Sequence, residues 1–267
     1  MSRIAIAGCT GRMGVALIHA AIAHDAVSSV IGSVRSDNLA NASSQLGMFG
    51  INADHIQLTD DLNALMKADA VIDFTRPELT LDLAKRAAKK KVPFVSGTTG
   101  LTPEQFNELR EHAKHIPIIW SANMSVGVNV LLTLVEKAAA ALDDRYDIEI
   151  VEMHHRQKVD APSGTALALG LAAAEGRQVV FSEQAILSRE GMTGPRPAGA
   201  IGFATLRGGQ VIGDHTVMFA GEHDRIELTH RSQGRDIYAQ GAIRAALWAQ
   251  TQSAGFYSMK DVLGLAA

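Results

Sequence analysis

The chain has 267 residues, more than one ordinary domain needs, and 47% of them are apolar, enough for a sizeable core. Its net charge of −3, with no basic stripe beyond Lys89-Lys90-Lys91 at an expected helix end, gives nucleic-acid binding no support. A single cysteine, Cys9, excludes an internal disulfide and fits a reducing compartment, and no apolar run approaches the roughly 20 residues of a membrane span. The first residues enter a strand at once and lack the layout of a signal peptide, so the cytoplasm is the expected location.

In chain order, Ile4-Ala-Ile-Ala7 reads as a short strand, Gly8 to Gly14 as a Gly-rich turn, Val15 to Ala23 as a helix and Val27 to Val34 as a second strand. Together they make a βαβ unit. A short helix is expected over Asp61 to Lys67, a buried strand over Ala70 to Phe74 and a helix over Pro77 to Lys90, with proline in its first turn. Pro93 to Ser96 reads as a strand, Thr102-Pro103 as a capped helix start, and Ile116 to Trp120 as another strand. This alternation predicts an α/β fold with a Rossmann-like, doubly wound parallel sheet.

The pattern changes after Asn123. A long Ala/Leu-rich helix is expected from about Val126 to Leu142, a strand over Ile148 to Met153, and a helix beginning near Ala166. Past Gly199 come three strand-like runs, Ala200 to Arg207, Val211 to Ala220 and Arg225 to His230. The Gly-Gly and Gly-Glu-His-Asp segments between them read as hairpin connections. These runs predict a second, α+β domain with a mixed or antiparallel sheet. The last helix, Ile237 to Gln250, is expected to pack back on the first domain, and Gly191 to Gly199 reads as a mobile loop. The expected division is a dinucleotide-binding domain over 1–125, completed by 235–267, and a substrate-binding and oligomerisation domain over 126–234.

Three strand ends of the first domain carry small or polar residues. Gly8-Cys9-Thr10-Gly11-Arg12-Met13-Gly14 is a G-x-x-G-x-x-G variant of the dinucleotide fingerprint, with strand before and helix after. Its glycines would let a pyrophosphate approach the helix N-terminus. Cys9 within it reads as a small filler more readily than as a reactive thiol. Gly97-Thr98-Thr99-Gly100 and Ser121-Ala122-Asn123-Met124-Ser125 follow later strands, as does Asp73-Phe74-Thr75-Arg76-Pro77. The end of the second strand, Gly32-Ser-Val34-Arg35-Ser36, has no acid to hold a ribose 2′-hydroxyl. Arg35, joined by Arg12, suits a 2′-phosphate, so NADPH is favoured over NADH.

The densest chemistry lies in Glu152 to Thr165, E-M-H-H-R-Q-K-V-D-A-P-S-G-T. Adjacent His154 and His155 point to opposite sides of an extended chain, so one suits proton transfer and the other substrate contact. Lys158 supplies a cation and a proton. Ser163-Gly164-Thr165 at a helix start offers backbone N–H groups to a carboxylate. Adjacent histidines without a completing cysteine or carboxylate pair are poor zinc spacing, so no metal is expected. A small acidic substrate is the expected partner, with neither nucleic acid nor membrane.

These motifs, with Asn123-Met-Ser-Val-Gly-Val-Asn129 and Ile201-Gly-Phe-Ala-Thr205, closely resemble the dihydrodipicolinate reductase family from near residue 1 to the C-terminus. The resemblance implies NAD(P)H-dependent reduction of 4-hydroxy-tetrahydrodipicolinate, with release of water, to tetrahydrodipicolinate in diaminopimelate and lysine biosynthesis. It implies His154 as proton donor/acceptor, Lys158 as second proton donor, His155 as a substrate contact and Gly164-Thr165 as the carboxylate-binding pair. Gly8 to Met13, Gly97 to Thr99 and Ser121 to Met124 would be cofactor contacts, and a homotetramer the assembly. Two positions depart from the family's common pattern: Val34 where many members carry Glu, and Met124 where many carry Phe. The first weakens the case for NADH. A Rossmann-type redox regulator without catalysis is the rival reading; it would use the Gly-rich loop but not His154, Lys158 and the Gly-Thr turn.

Overall fold

Short apolar runs form parallel strands when helices cover both faces of their sheet, and the first 120 residues follow that rule. The computed structural model describes residues 1–234 and 236–266. It gives β1 (Ser2–Ile6), α1 (Arg12–Ile22), β2 (Val27–Ser33), α2 (Leu39–Gly47), β3 (Ile56–Thr59), β4 (Ala70–Asp73), α3 (Pro77–Lys90), β5 (Phe94–Ser96), α4 (Pro103–Ala113) and β6 (Pro117–Trp120). The chain divides into two units, Met1–Val126 with Asp236–Ala267, and Gly127–Arg235. Arg235 and Ala267, both inside the expected 235–267 segment, lie outside the described residues.

The second half contains α5 (Val126–Ala141), β7 (Asp147–His154), α6 (Gly164–Arg177), α7 (Phe181–Gln184), β8 (Ala185–Ile186), β9 (Ile201–Arg207), β10 (Gly213–Ala220) and β11 (Arg225–Ser232). It ends with α8 (Asp236–Ala249), β12 (Gly255–Tyr257) and α9 (Met259–Val262). The first unit is a seven-stranded parallel sheet in the order β12-β6-β5-β4-β1-β2-β3. Its β1 centre (Ile4, Ala5, Ile6) is fully buried between two apolar clusters, one per face. Helix α8 belongs to this unit: Ala239, Ala242, Ile243 and Ala246 are buried with Ile4, Ile6 and Leu17. Gly241 permits the approach, since a Cβ there would meet the Met124 carbonyl oxygen. Helix α4 starts with a capping box, Thr102 and Gln105, as its Thr-Pro opening predicts.

The second unit is a five-stranded mixed sheet in the order β11-β10-β7-β9-β8. The β10–β11 connection is a hairpin, but the Gly-Gly connection is not. β9 runs parallel to β7, β10 runs antiparallel to it, and β7 lies between them. Instead of closing a hairpin, Gly208-Gly209 crosses the end of β7: Gly208 N–H donates to the His154 carbonyl and Arg156 N–H to that of Gly209. A Gly-Gly between two strand-like runs reads the same in either topology. The side of the sheet carrying Ile148, Ile150, Phe203, Val217 and Phe219 packs on α5 and α6. The Gly191–Gly199 loop is tied down on its C-terminal side, where Arg196 binds Asp147, Glu149 and the carbonyls of Ile148 and Ala200. Among the described residues, no helix is long and apolar enough to cross a membrane.

Candidate active site

Strand register arranges the helix-facing side of the second sheet in rows. Two rows are apolar: Ile201, Ile148, Phe219 and Ile226, then Phe203, Ile150, Val217 and Leu228. The next row is polar throughout, Thr205, Glu152, His215 and His230, and one step further His154 stands opposite Arg207. The period of two that builds the core thus delivers a carboxylate and three imidazoles to one end of it.

Glu152 is 1% exposed, and an isolated carboxylate there would be costly. It accepts from Arg207 Nη1 (2.8 Å) and Nη2 (2.9 Å), from His154 Nδ1 (2.6 Å) and from the Ser163 N–H (3.0 Å). Burial pushes its pKa up, but the hydrogen bonds from Arg207, His154 and Ser163 outweigh burial and hold it below the usual carboxylate range. An ionised carboxylate only accepts, so His154 Nδ1 carries the hydrogen and Nε2 keeps its lone pair. Burial pulls the His154 pKa below its ordinary value; Glu152 opposes this, and Lys158 and Arg207 add to it. The imidazole is therefore neutral near pH 7. Gly213 leaves room for it, because a Cβ at that position would lie 3.0 Å from His154 Nε2.

His215, 4% exposed, packs its ring edge-on to His154 with centroids 5.1 Å apart, and its Nε2 lies 3.1 Å from Ser163 Oγ. Burial, followed by the neighbouring His154, pushes its pKa down to about 4. Ser163 caps α6 by accepting from the Ala166 N–H (3.2 Å), and a Cβ at Gly164 would meet nothing within 4 Å, so the first turn is open to an anion. Lys158 Nζ lies 2.8 Å from Asp160 Oδ1, and Arg207 Nη2 donates to the Asp160 carbonyl at 2.6 Å. Half-buried His155 follows His154 directly and accepts the Lys158 N–H through its carbonyl. The Glu152–Ser163 hydrogen bond closes the loop on itself and, with the Glu152–His154 contact, brings the His154 end of β7 to the start of α6, where Gly164 and Thr165 lie.

In the first unit, Gly8 has φ +65°, a backbone few other residues adopt, and a Cβ on Gly14 would fall on the Gly8 carbonyl oxygen and the Cys9 backbone. The loop therefore lies flat against α1. Gly11, the N-cap of α1, brings no side-chain cap, so the first turn of this 11-residue helix keeps donors for a pyrophosphate, with Thr10, Arg12 and Met13 around it. A dinucleotide fits that cradle. Cys9 contributes differently from the expectation for a loop contact. Its side chain is fully buried against Gly32, its N–H donates to the Ser33 carbonyl, and burial pushes its thiol pKa up to about 11. Met124 is likewise buried in the core, whereas Ala122 is exposed and Asn123 half-buried. Ser121 Oγ donates to the Asn123 carbonyl. Arg35 is exposed and pairs at 3.3 Å with Asp37, an acid just beyond the strand-end residues considered above.

The β4 and β5 ends are tied by Asp73, fully buried. Oδ1 accepts from the Thr75 N–H (3.1 Å) and hydroxyl (2.5 Å), and Oδ2 from the hydroxyls of Thr80 (2.5 Å), Ser96 (2.9 Å) and Thr98 (2.9 Å). The Thr98 hydroxyl proton is thus committed to the scaffold, which leaves the backbone of Gly97 to Thr99 and the exposed Thr99 side chain to meet a ligand. Among the described residues no group of three or more His, Cys, Asp or Glu is arranged to hold a metal.

Sequence reading missed Glu152, Arg207 and His215 as site residues. A signal for Glu152 was present, since it occupies a core-facing position in the alternation Ile148, Ile150, Glu152, His154. Arg207 had none, because its place beside His154 depends on a parallel pairing that the Gly-Gly segment disguised.

Comparison with known proteins covers almost the whole chain. Family models described as "Dihydrodipicolinate reductase, N-terminus" and "Dihydrodipicolinate reductase, C-terminus" match residues 2–124 and 127–263. The 4-hydroxy-tetrahydrodipicolinate reductase of Beijerinckia indica is 48% identical over 264 residues, 98% of this chain and 97% of that protein. That of Rhodopseudomonas palustris strain BisB18 is 49% identical over 265 residues, with coverages of 98% and 97%. Among solved structures, a dipicolinate-bound dihydrodipicolinate reductase from Paenisporosarcina sp. TG-14 shares the fold with a TM-score of 0.79, at 24% identity and 97% coverage of each chain.

Proposed function

The chain belongs to the dihydrodipicolinate reductase family, and from that premise we infer that it catalyses the NAD(P)H-dependent reduction of 4-hydroxy-tetrahydrodipicolinate to tetrahydrodipicolinate, in the diaminopimelate route to lysine. The observation that carries this reading is the match of both family models, together spanning nearly every residue. A regulator without catalysis would have no use for the loop that collects His154, Lys158 and an open helix start.

The substrate is a small dicarboxylate, in keeping with the dipicolinate held by the Paenisporosarcina protein. Its carboxylates suit His155, Lys158 and the Gly164-Thr165 turn. Gly8 to Met13, Gly97 to Thr99 and Ser121 to Met124 form the cofactor set, with the backbone providing the contact at Cys9 and Thr98. When bound, the nicotinamide supplies a hydride to the conjugated imine formed as the substrate's hydroxyl leaves as water. Lys158, an ammonium, donates the proton that the resulting enamine-like ring needs. His154, neutral with a bare Nε2, accepts or relays a proton beside it. Such positioned acid–base groups contribute about 10²–10⁴-fold. Residues 1–125 with 235–267 serve as the cofactor domain and 126–234 as the substrate and assembly domain, in a cytoplasmic homotetramer. NADPH is the preferred donor through Arg35.

The test follows NADPH absorbance at 340 nm (a standard wavelength for the reduced nicotinamide) with enzymatically made substrate. Turnover that stops on adding dipicolinate supports the reading. Intact NADPH binding without turnover returns the chain to the regulator class.

A further inference from the structure

A carboxylate beside an imidazole raises that imidazole's affinity for a proton, and a buried carboxylate does so strongly. Glu152 Oε2 touches His154 at 2.6 Å, yet Arg207 grips both carboxylate oxygens, Oε2 at 2.8 Å and Oε1 at 2.9 Å. We propose that Glu152 and Arg207 act as one positioning pair that holds His154 as a single neutral tautomer, Nδ1–H on Glu152 and the Nε2 lone pair free for the reaction. The proposal deepens the reading of His154 as the imidazole that works on the substrate, and rests on it.

The geometry divides the labour. Glu152 accepts the Nδ1 hydrogen and so fixes ring orientation and tautomer, as carboxylates behind ligating or catalytic imidazoles do. Arg207 cancels the charge of Glu152 without taking its hydrogen-bonding capacity from His154, because a guanidinium fork and an imidazole can share the lone pairs of one carboxylate. The groups facing the ring come from four places. Glu152 lies on its own strand and Arg207 on β9; His215 packs against the ring from β10, and Lys158 comes from the loop, already paired with Asp160. Only Glu152 among them favours a proton on Nε2; Arg207 and Lys158 oppose it, as does burial. Arg207 does one thing more. Its bond to the Asp160 carbonyl fastens the loop that carries Lys158, so one guanidinium orders both proton-handling residues.

The pair also accounts for Gly213 and for the buried end of the sheet. Any side chain at Gly213 would crowd Nε2, while Nδ1 is already committed; only Nε2 is left for chemistry. Among the described residues no hydrogen bond reaches Nε2.

The experiment is nitrogen NMR of the full-length protein labelled with ¹⁵N-histidine, with His154 assigned by its loss in His154→Gln. In the unsubstituted protein at pH 7, His154 should be neutral with its hydrogen on Nδ1. An imidazolium, or the hydrogen on Nε2, overturns the proposal. Arg207→Met should raise the His154 midpoint by a pH unit or more, and the acid limb of kcat should rise with it. Glu152→Gln should mix the two tautomers without raising the midpoint. The double variant should return the midpoint toward its original position and lose no more turnover than the worse single variant, as expected for residues acting as a unit. An unmoved midpoint in Arg207→Met, or turnover losses that multiply in the double variant, also overturns it. The spectra do not depend on turnover. The predicted tautomer in a protein that fails to reduce the substrate would leave the pair standing and remove the reductase reading instead.

Discussion

Among the described residues the molecule buries two side-chain carboxylates, Asp73 in the first unit and Glu152 in the second, and it satisfies their oxygens by different means. Asp73 receives three threonine or serine hydroxyls on one oxygen, and a hydroxyl and an N–H of Thr75 on the other, with no ion pair recorded to it among the described residues. Glu152 receives an arginine, an imidazole and one backbone N–H. Neutral hydroxyl and N–H donors hold the Asp73 carboxylate in one geometry and tie β4, β5 and α3 together without a second ionisable group. Ionisable partners suit a place where protons move, since each partner can pass or hold one. On the proposed function, Asp73 therefore serves the architecture of the cofactor loops, and Glu152 the chemistry.

The largest expected effect breaks the second site. Lys158→Ala should lower kcat by about 10²–10⁴-fold, the range for a lost proton donor, with little change in NADPH affinity. Steady-state kinetics with direct NADPH titration separates the two quantities; an unchanged kcat takes Lys158 out of the mechanism. The next effect breaks the first site and should have the reverse signature. Asp73→Ala strips the Thr80, Ser96 and Thr98 hydroxyls of their acceptor and should cost about 3 kcal/mol of stability, the upper end for a buried donor left unpaired. NADPH should bind more weakly, because the Gly97 to Thr99 turn loses its anchor, while kcat at saturating cofactor stays within a few-fold. Chemical denaturation and NADPH titration measure both. A collapse of kcat with intact affinity would erase the contrast between the two carboxylates.

How far each site could be read from the chain follows from the same contrast. The proposed cofactor loops rest on local signals, a Gly-rich strand-to-helix turn and small residues at strand ends, and from the same local signals the βαβ start and the parallel sheet were legible. Helix α2, β3 and the short β12 and α9 were not, being brief segments with weak periodicity whose place is fixed by packing on neighbours. In the second unit, Glu152 to Thr165 declared its chemistry, but the partners that complete it come from β9 and β10. Their approach depends on β7 lying between them, which two glycines in a row could not reveal. Residue type also misled on which atoms matter. Cys9 and Thr98 occupy the expected cofactor loops, yet one thiol is sealed in the core and one hydroxyl is bound to Asp73.

The smallest expected effect sharpens the comparison at its outer edge, where charge does enter the first unit. Arg35 and Asp37 form an exposed pair, a contact typically worth about 0–1 kcal/mol, so Arg35 can leave it readily for a phosphate. Removing Arg35 as Arg35→Ala should raise KM for NADPH roughly tenfold, the weight of one charge-assisted contact, and leave NADH nearly unchanged. Asp37→Asn should act the other way. The acid repels a 2′-phosphate and can accept from a 2′-hydroxyl, so its loss should shift the kcat/KM ratio toward NADPH by a few-fold. Measuring both cofactors on both variants makes the outcome unambiguous. Equal effects on NADPH and NADH in Arg35→Ala would remove the 2′-phosphate role from Arg35 and leave Arg12 as the remaining cation of the proposed cofactor loop.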